Sequence, residues 1–169
     1  MKSSTAESLV SVADSLLDLL EASSLWEIAD SQPGNAFAVA FVIADTLTRL
    51  IEATGNKGIL EKSSVRIVHG RPTLRREPFT QFDHAWVELA IKVPNKEEDK
   101  EAAPEIIAGC IDFSNGIRAV APMADYYTVG AINEHELSKY TVDAYKKAAM
   151  TAGHTGPFES KTGKPSKPN

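Results

Sequence analysis

AFAVAFVIADTLTRLIEA, residues Ala36–Ala53, is the stretch that decides the fold. Its first half is apolar on every side of a helix, which predicts that this half is buried all round. In the second half, polar residues such as Arg49 and Glu52 mark an outer face. The turn residues QPGN at 32–35 precede the helix and Gly55 follows it, so both ends are bounded. A helix of this kind has to be covered by other elements.

After this helix the pattern changes to that of β-strands. Ala85–Val93 alternates between apolar and polar residues, as a half-buried strand does. Shorter runs predict further strands at Val65–Val68, Glu105–Phe113, Arg118–Ala121 and Tyr126–Gly130. The residues around these runs suggest an antiparallel meander.

Helices are predicted before and after the strands. Apolar residues recur at helical spacing over Ala6–Ile28, and a final helix over Thr141–Ala152 is stopped by Gly153. Helices, then strands, then a helix predict an α+β architecture in which a buried central helix packs on an antiparallel sheet. We assign residues 1–158 to a single domain of catalytic type, and residues 159–169, rich in Lys, Pro, Gly and Ser, to a disordered tail.

Composition restricts the classes of function. The 169 residues are 43% hydrophobic and 24% charged, which is typical of soluble globular domains. A net charge of -5 argues against nucleic-acid binding, which requires a basic face. No apolar stretch approaches the length of a membrane span, and no targeting pattern is visible. The single cysteine, Cys110, excludes an internal disulfide and favours a reducing cytoplasm. We therefore expect a cytoplasmic protein that binds neither nucleic acid nor membranes.

Three short segments hold residues suited to thiol chemistry. They are Gln32–Phe37 at a helix start, Phe82–Glu88 at a strand start, and Ile111–Gly116 at a strand end. A helix start lowers the pKa of a thiol, a histidine moves protons, and an acid orients that histidine. The order helix start, His84, Asp112 supplies these roles in turn. Taken singly, each segment is more typical of an ordinary helix start, strand edge or turn than of a catalytic site.

DHAWVE at Asp83–Glu88 resembles the histidine segment of papain-like and transglutaminase-like cysteine enzymes. IDFSNG at Ile111–Gly116 is similar to the segment in which an Asp ends the next strand of these enzymes. PGNAF at Pro33–Phe37 is similar to their nucleophile segment, which opens the central helix. Two later strings, DYY at Asp125–Tyr127 and GHTGPF at Gly153–Phe158, resemble those of small uncharacterised phage and bacterial proteins, and they imply no activity.

The resemblance implies a papain-like or transglutaminase-like fold and a hydrolase or acyl transferase. Such enzymes act on amide or thioester carbonyls, here of a peptide or protein substrate, without a metal or an organic cofactor. It implies a nucleophile at position 36, His84 as base and then acid, and Asp112 as orienter. Gln32 is our candidate oxyanion donor together with the N–H of residue 36, although an exposed turn glutamine explains it equally well.

Three further residues are candidates for orienting the histidine or binding substrate: Asn115, Trp86 and Tyr127. Each has an ordinary alternative, because Asn115 precedes a glycine in a turn and the two aromatic residues suit a core. We expect Cys110 to be a structural residue, because a thiol inside a strand lacks the electrostatics of a helix start. His69 and His135 are expected on the surface.

Alanine at position 36 has no nucleophilic atom, so the chain as written is expected to be inactive. An engineered Cys-to-Ala variant and a natural pseudoenzyme both explain it, and we favour the former. One alternative function is a binding module that holds a peptide or protein without cleaving it, such as a phage-encoded inhibitor in the host cytoplasm. Another is a metal-dependent hydrolase that uses His69, His84 and Asp112. The sequence does not predict the oligomeric state.

Overall fold

A computed structural model describes residues 35–53, 63–74, 78–93, 105–114 and 119–158. In chain order the elements are α1 (Ala36–Ala53), β1 (Ser63–Gly70), β2 (His84–Val93), β3 (Glu105–Asp112), β4 (Ala119–Pro122), α2 (Met123–Gly130), a 3-10 turn (Glu134–Glu136), β5 (Ser138–Tyr140) and α3 (Val142–Ala152). The helix predicted over Ala6–Ile28, the tail at 159–169, Gln32 and Asn115 lie outside the described residues.

The strands form an antiparallel sheet in the order β4-β3-β2-β1-β5. The first four strands follow the chain as a meander, as predicted, and β5 adds to the free edge of β1. In the centre of the sheet, Trp86 pairs with Val68, and Glu88 pairs with Cys110. The α+β class predicted from the sequence is therefore confirmed.

The two faces of the sheet are covered by different elements, because successive side chains of a strand point to opposite faces. One face packs against α1 and α3, and its core includes Ile67, Ala85, Val87 and Ile111. The other face packs against α2, and its core consists of Val68, Trp86, Cys110 and Tyr127. We call these the α1 face and the α2 face.

Helix α1 begins where the sequence predicts. Asn35 caps it, since its side-chain Oδ1 accepts a hydrogen bond from the N–H of Ala38 at 3.0 Å. None of the residues from 36 to 44 is exposed, whereas Arg49 and Glu52 are. At the other end of the chain, Thr141 caps α3 by accepting from the N–H of Ala144, and Gly153 ends it in a left-handed conformation. Both helix predictions are confirmed.

The predicted strand over Tyr126–Gly130 is wrong, because these residues belong to helix α2. The tyrosine, threonine and valine in YYTVG favour a strand locally. Tertiary contacts override that preference, since Tyr126 and Tyr127 each donate a hydrogen bond to a buried carboxylate of the sheet. The helix ends at Ala131, which takes a left-handed conformation. Across the described ranges, none of the helices is long and apolar enough to cross a membrane.

Candidate active site

The candidate site lies on the α2 face, at the end of the sheet where β2 begins and β3 ends. His84 is the first residue of β2 and Asp112 is the last residue of β3. Their side chains are 2% and 3% exposed, and His84 Nε2 lies 2.8 Å from Asp112 Oδ2. The structure thus brings together the histidine and the acid that the sequence selected, although they are 28 positions apart.

Asp112 accepts four hydrogen bonds from the described residues. Its Oδ2 accepts from His84 Nε2 and from the hydroxyl of Tyr126, each at 2.8 Å. Its Oδ1 accepts from the hydroxyl of Ser114 at 2.7 Å and from the N–H of Ser114 at 3.2 Å. Burial alone would raise the pKa of Asp112, but the bonds from His84, Ser114 and Tyr126 outweigh it and lower that pKa. The carboxylate is therefore ionised and fully paired.

The ionised carboxylate fixes the tautomer of His84. A carboxylate only accepts hydrogen bonds, so the proton of the neutral ring is assigned to Nε2, which faces Asp112. The other ring nitrogen, Nδ1, then carries a free lone pair. Nδ1 is buried and has no hydrogen-bond partner among the described residues. His84 therefore has one ring nitrogen held by an acid and one ring nitrogen without a hydrogen-bond partner among the described residues.

A second buried carboxylate lies further along β2 on the same face. Glu88 is 7% exposed, accepts a hydrogen bond from the hydroxyl of Tyr127, and pairs with Lys139 Nζ at 2.8 Å. Trp86 lies between His84 and Glu88 on β2, is fully buried, and contacts the rings of His84, Tyr126 and Tyr127. In this structure Trp86 and Tyr127 are thus packed core residues.

Cys110 is buried beside these groups and is the one cysteine of the chain. Burial and the nearby carboxylate of Glu88 raise the pKa of its thiol to about 12. The thiolate, which is the reactive form, is therefore scarce at neutral pH. Cys110 shares the α2 face with Asp112, as strand alternation predicts, but its environment suits a small core residue.

Position 36 lies at the same end of the sheet but on a helix that covers the opposite face. Ala36 opens α1 and is 4% exposed. The next residue, Phe37, contacts the ring of His69, and His69 pairs with Ala85, the neighbour of His84 on β2. The start of α1 is therefore close to the start of β2 along the sheet. The imidazole of His84, however, lies on the α2 face, whereas α1 packs on the α1 face.

The prediction that His69 is a surface residue is wrong. His69 is 7% exposed on the α1 face, enclosed by the rings of Phe37, Tyr140, Tyr145 and Phe158. Both of its ring nitrogens lack a hydrogen-bond partner among the described residues, and burial lowers its pKa to about 4. It is covered because β1 is an inner strand and the segment 153–158 packs over it. His135 is exposed, as predicted.

This placement also bears on the metal hypothesis. His69 lies on the α1 face, whereas His84 and Asp112 lie on the α2 face, so the three side chains do not converge. Within the described ranges, no group of three or more His, Cys, Asp and Glu side chains is arranged to hold a metal ion.

Sequence reasoning missed the roles of two residues in the site. Ser114 follows Asp112 by two positions, a spacing at which an aspartate often accepts from the local backbone, so its role had a local signal. Tyr126 is one of several tyrosines that the sequence allows to pack against the site or to fill the core, but its bond to Asp112 had no local signal, because that contact depends on how α2 packs against the sheet.

A groove of about 650 Å³ lies away from this site, between α1, the start of β1 and α3. Asp45 in its wall is already paired with Arg49 at 2.9 Å and with Lys146 at 2.8 Å. The groove contains none of the candidate catalytic residues.

In comparisons with known proteins, no family model, curated protein or solved structure matches the chain.

Proposed function

We propose that His84 and Asp112 are the acid–base pair of a cysteine-type hydrolase or acyl transferase with papain-like or transglutaminase-like architecture. The observation that carries this proposal is the 2.8 Å contact between His84 Nε2 and a buried, ionised Asp112, while Nδ1 has no hydrogen-bond partner within the described ranges. A thiol enzyme needs a histidine with one nitrogen oriented by a third group and the other facing the nucleophile. Both residues lie on strands, which favours a rigid arrangement.

The proposed reaction requires a cysteine at position 36. His84 Nδ1 takes the thiol proton, and the thiolate sulfur attacks the carbonyl carbon of an amide, ester or thioester, so that the C=O electron pair moves to oxygen. His84 then gives the proton to the leaving group as its bond to carbon breaks. Water or an amine then attacks the carbonyl carbon of the resulting thioester and loses a proton to His84. As the C=O bond re-forms, the C–S bond breaks, and His84 returns the proton to sulfur to restore the thiol. Asp112 stays ionised throughout.

Two further elements complete the proposed mechanism. Gln32 and the N–H of residue 36 are the proposed donors to the oxyanion. The thiol at position 36 has to reach Nδ1 around the end of the sheet near which α1 and β2 both begin. The substrate is a peptide or protein, and the single cysteine supports a reducing cytoplasm as the setting.

The test is the reactivity of Ala36→Cys toward iodoacetamide across pH, followed by intact mass. Cys110 serves as an internal slow control. Ala38→Cys is a matched control, because it lies in the same first turn of α1 but points in another direction. We expect rapid labelling of residue 36 below neutral pH, and loss of that reactivity in Ala36→Cys combined with His84→Asn.

Two results would contradict the catalytic proposal. In one, the labelling of Ala36→Cys has the same pH dependence as that of Ala38→Cys, so that the helix start alone explains its reactivity. In the other, the His84→Asn change leaves the labelling rate and its pH dependence unaltered while circular dichroism shows an intact fold.

A binding module without catalysis is the second candidate. It is supported by the chain as written, which has Ala36 at the nucleophile position and a buried thiol with a pKa of about 12. Such a module would hold a peptide or protein without cleaving it. Incubation with a peptide library tests this, because mass spectrometry reports cleavage and fluorescence anisotropy reports binding. Retention without cleavage supports the module, whereas a cleaved product from the chain as written refutes it.

A further inference from the structure

We infer that Tyr126 is a positioning residue for the His84–Asp112 pair. It holds Asp112 from helix α2, whereas His84 and Asp112 lie on strands β2 and β3. The contact itself is independent of catalysis, whereas its effect on reactivity rests on the proposed function. Tyr126 donates to Asp112 Oδ2, which is the same oxygen that His84 Nε2 contacts. The bond therefore acts on the part of the carboxylate that orients the imidazole.

The phenol of Tyr126 is itself held in place. Its ring packs on Trp86 with the ring centroids 5.5 Å apart. Burial, with the charge of Asp112, raises the pKa of the Tyr126 hydroxyl. The hydroxyl therefore keeps its proton at neutral pH and remains a donor. Ser114 holds Oδ1 from the other side, so Tyr126 and Ser114 together determine the plane of the carboxylate.

The neighbouring residue provides a matched comparison. Tyr127 follows Tyr126 on α2, contacts the same indole of Trp86, and also donates to a buried carboxylate. Its acceptor is Glu88, however, and not Asp112. Tyr127→Phe therefore removes the same atom from the same helix while leaving the bonds of Asp112 unchanged. Any difference between Tyr126→Phe and Tyr127→Phe reports the bond to Asp112 separately from the docking of α2.

The experiment follows the titration of the Asp112 carboxyl by carbon-13 NMR in the wild-type chain, Tyr126→Phe and Tyr127→Phe. Each titration covers the pH range in which circular dichroism shows the native fold. Loss of a hydrogen bond to a charged group is expected to raise the proton affinity of Asp112 by roughly tenfold, or about one pH unit, in Tyr126→Phe. The midpoint in Tyr127→Phe stays at the wild-type position.

The inference is overturned if the Asp112 midpoint does not move in Tyr126→Phe. It is also overturned if Tyr127→Phe moves that midpoint equally, because the effect would then come from the packing of α2. The same two tyrosine changes made in Ala36→Cys test whether the bond from Tyr126 affects the reactivity of the proposed site. There we expect Tyr126→Phe, but not Tyr127→Phe, to slow labelling of residue 36 by roughly tenfold.

The two proposals fail separately. If labelling of Ala36→Cys does not depend on His84, the proposed function fails, while the NMR result for Tyr126 stands. If labelling depends on His84 but is slowed by neither tyrosine variant, the proposed function stands and the role of Tyr126 is refuted.

Discussion

Acidification should destabilise the protein through His69, and His69→Phe should remove that sensitivity. The folded protein holds the pKa of His69 at about 4 because the ring is buried, whereas the ordinary value is 6.5. Above pH 6.5 the ring is neutral in both folded and unfolded chains, so it adds no pH dependence. As the pH falls from 6.5 toward 4, the unfolded chain binds a proton that the folded protein does not, and the free energy of unfolding decreases.

The size of the effect follows from these two values. They differ by roughly 2.5 units, and each unit corresponds to about 1.4 kcal/mol, so the loss approaches about 3 kcal/mol at pH 4. That is a large part of the stability of a typical domain. Asp45 and Asp112 have lowered pKa values, and the stability that they contribute is lost only as the pH falls below 3.8. The region between pH 6.5 and 4 therefore isolates His69 from these two acids.

The assay is urea unfolding at several pH values between 7.5 and 4, for the wild-type chain and His69→Phe. Phenylalanine forfeits no hydrogen bond, since both ring nitrogens of His69 lack partners among the described residues, and its ring suits the aromatic surroundings. We expect the wild type to lose about 3 kcal/mol relative to the variant over this range. His135→Gln, at an exposed site, is the control and should keep the wild-type slope. Parallel curves for wild type and His69→Phe would refute the reasoning.

Two further predictions concern the elements around His69. Gly156→Ala should lower the free energy of unfolding by more than 2 kcal/mol, because an added Cβ would lie 2.6 Å from Phe37 and 2.9 Å from His69. Gly153→Ala is the matched change, because Gly153 and Gly156 both have a positive φ but nothing lies within 4 Å of a Cβ added at Gly153. We expect Gly153→Ala to cost about 1 kcal/mol. Equal costs for the two changes in urea unfolding would contradict the packing argument. Thr141→Ala should lower the free energy of unfolding by about 1 kcal/mol through loss of the cap on α3, whereas Thr141→Ser should retain most of that stability. An unchanged melting temperature in Thr141→Ala would refute the role of the cap.

Much of the fold was predictable because its main elements have strong periodicity. Helix α1 has an apolar first half and clear stop signals, and β2 alternates along its whole length. Helix α2 was not predictable in this way, since its sequence favours a strand and its stability comes from tyrosine contacts with β2 and β3. Local propensity carries no information about partners that are distant in the chain.

The His84–Asp112 pair was predictable from its two segments, but the position of Ala36 relative to it was not recognised. The alternation of β2 contained the necessary signal. Ala85 and Val87 lie on the apolar side that a buried helix such as α1 covers, so His84 necessarily points the other way. His69 follows the same rule, since it shares its side of β1 with Ile67 and is buried for that reason.

Cys110 has a consequence for measuring the motions of this protein. Its thiol lies at the centre of the sheet, paired through its backbone with both β2 and β4. A reagent in native buffer can modify it only during the brief intervals in which the sheet opens, and each event adds a fixed mass. When reclosing outpaces modification, the observed rate divided by that of a free thiol gives the fraction of time spent open. The rate at which the single cysteine of the chain is modified therefore measures how much of the time the sheet is open. The measurement requires no denaturant and no engineered label.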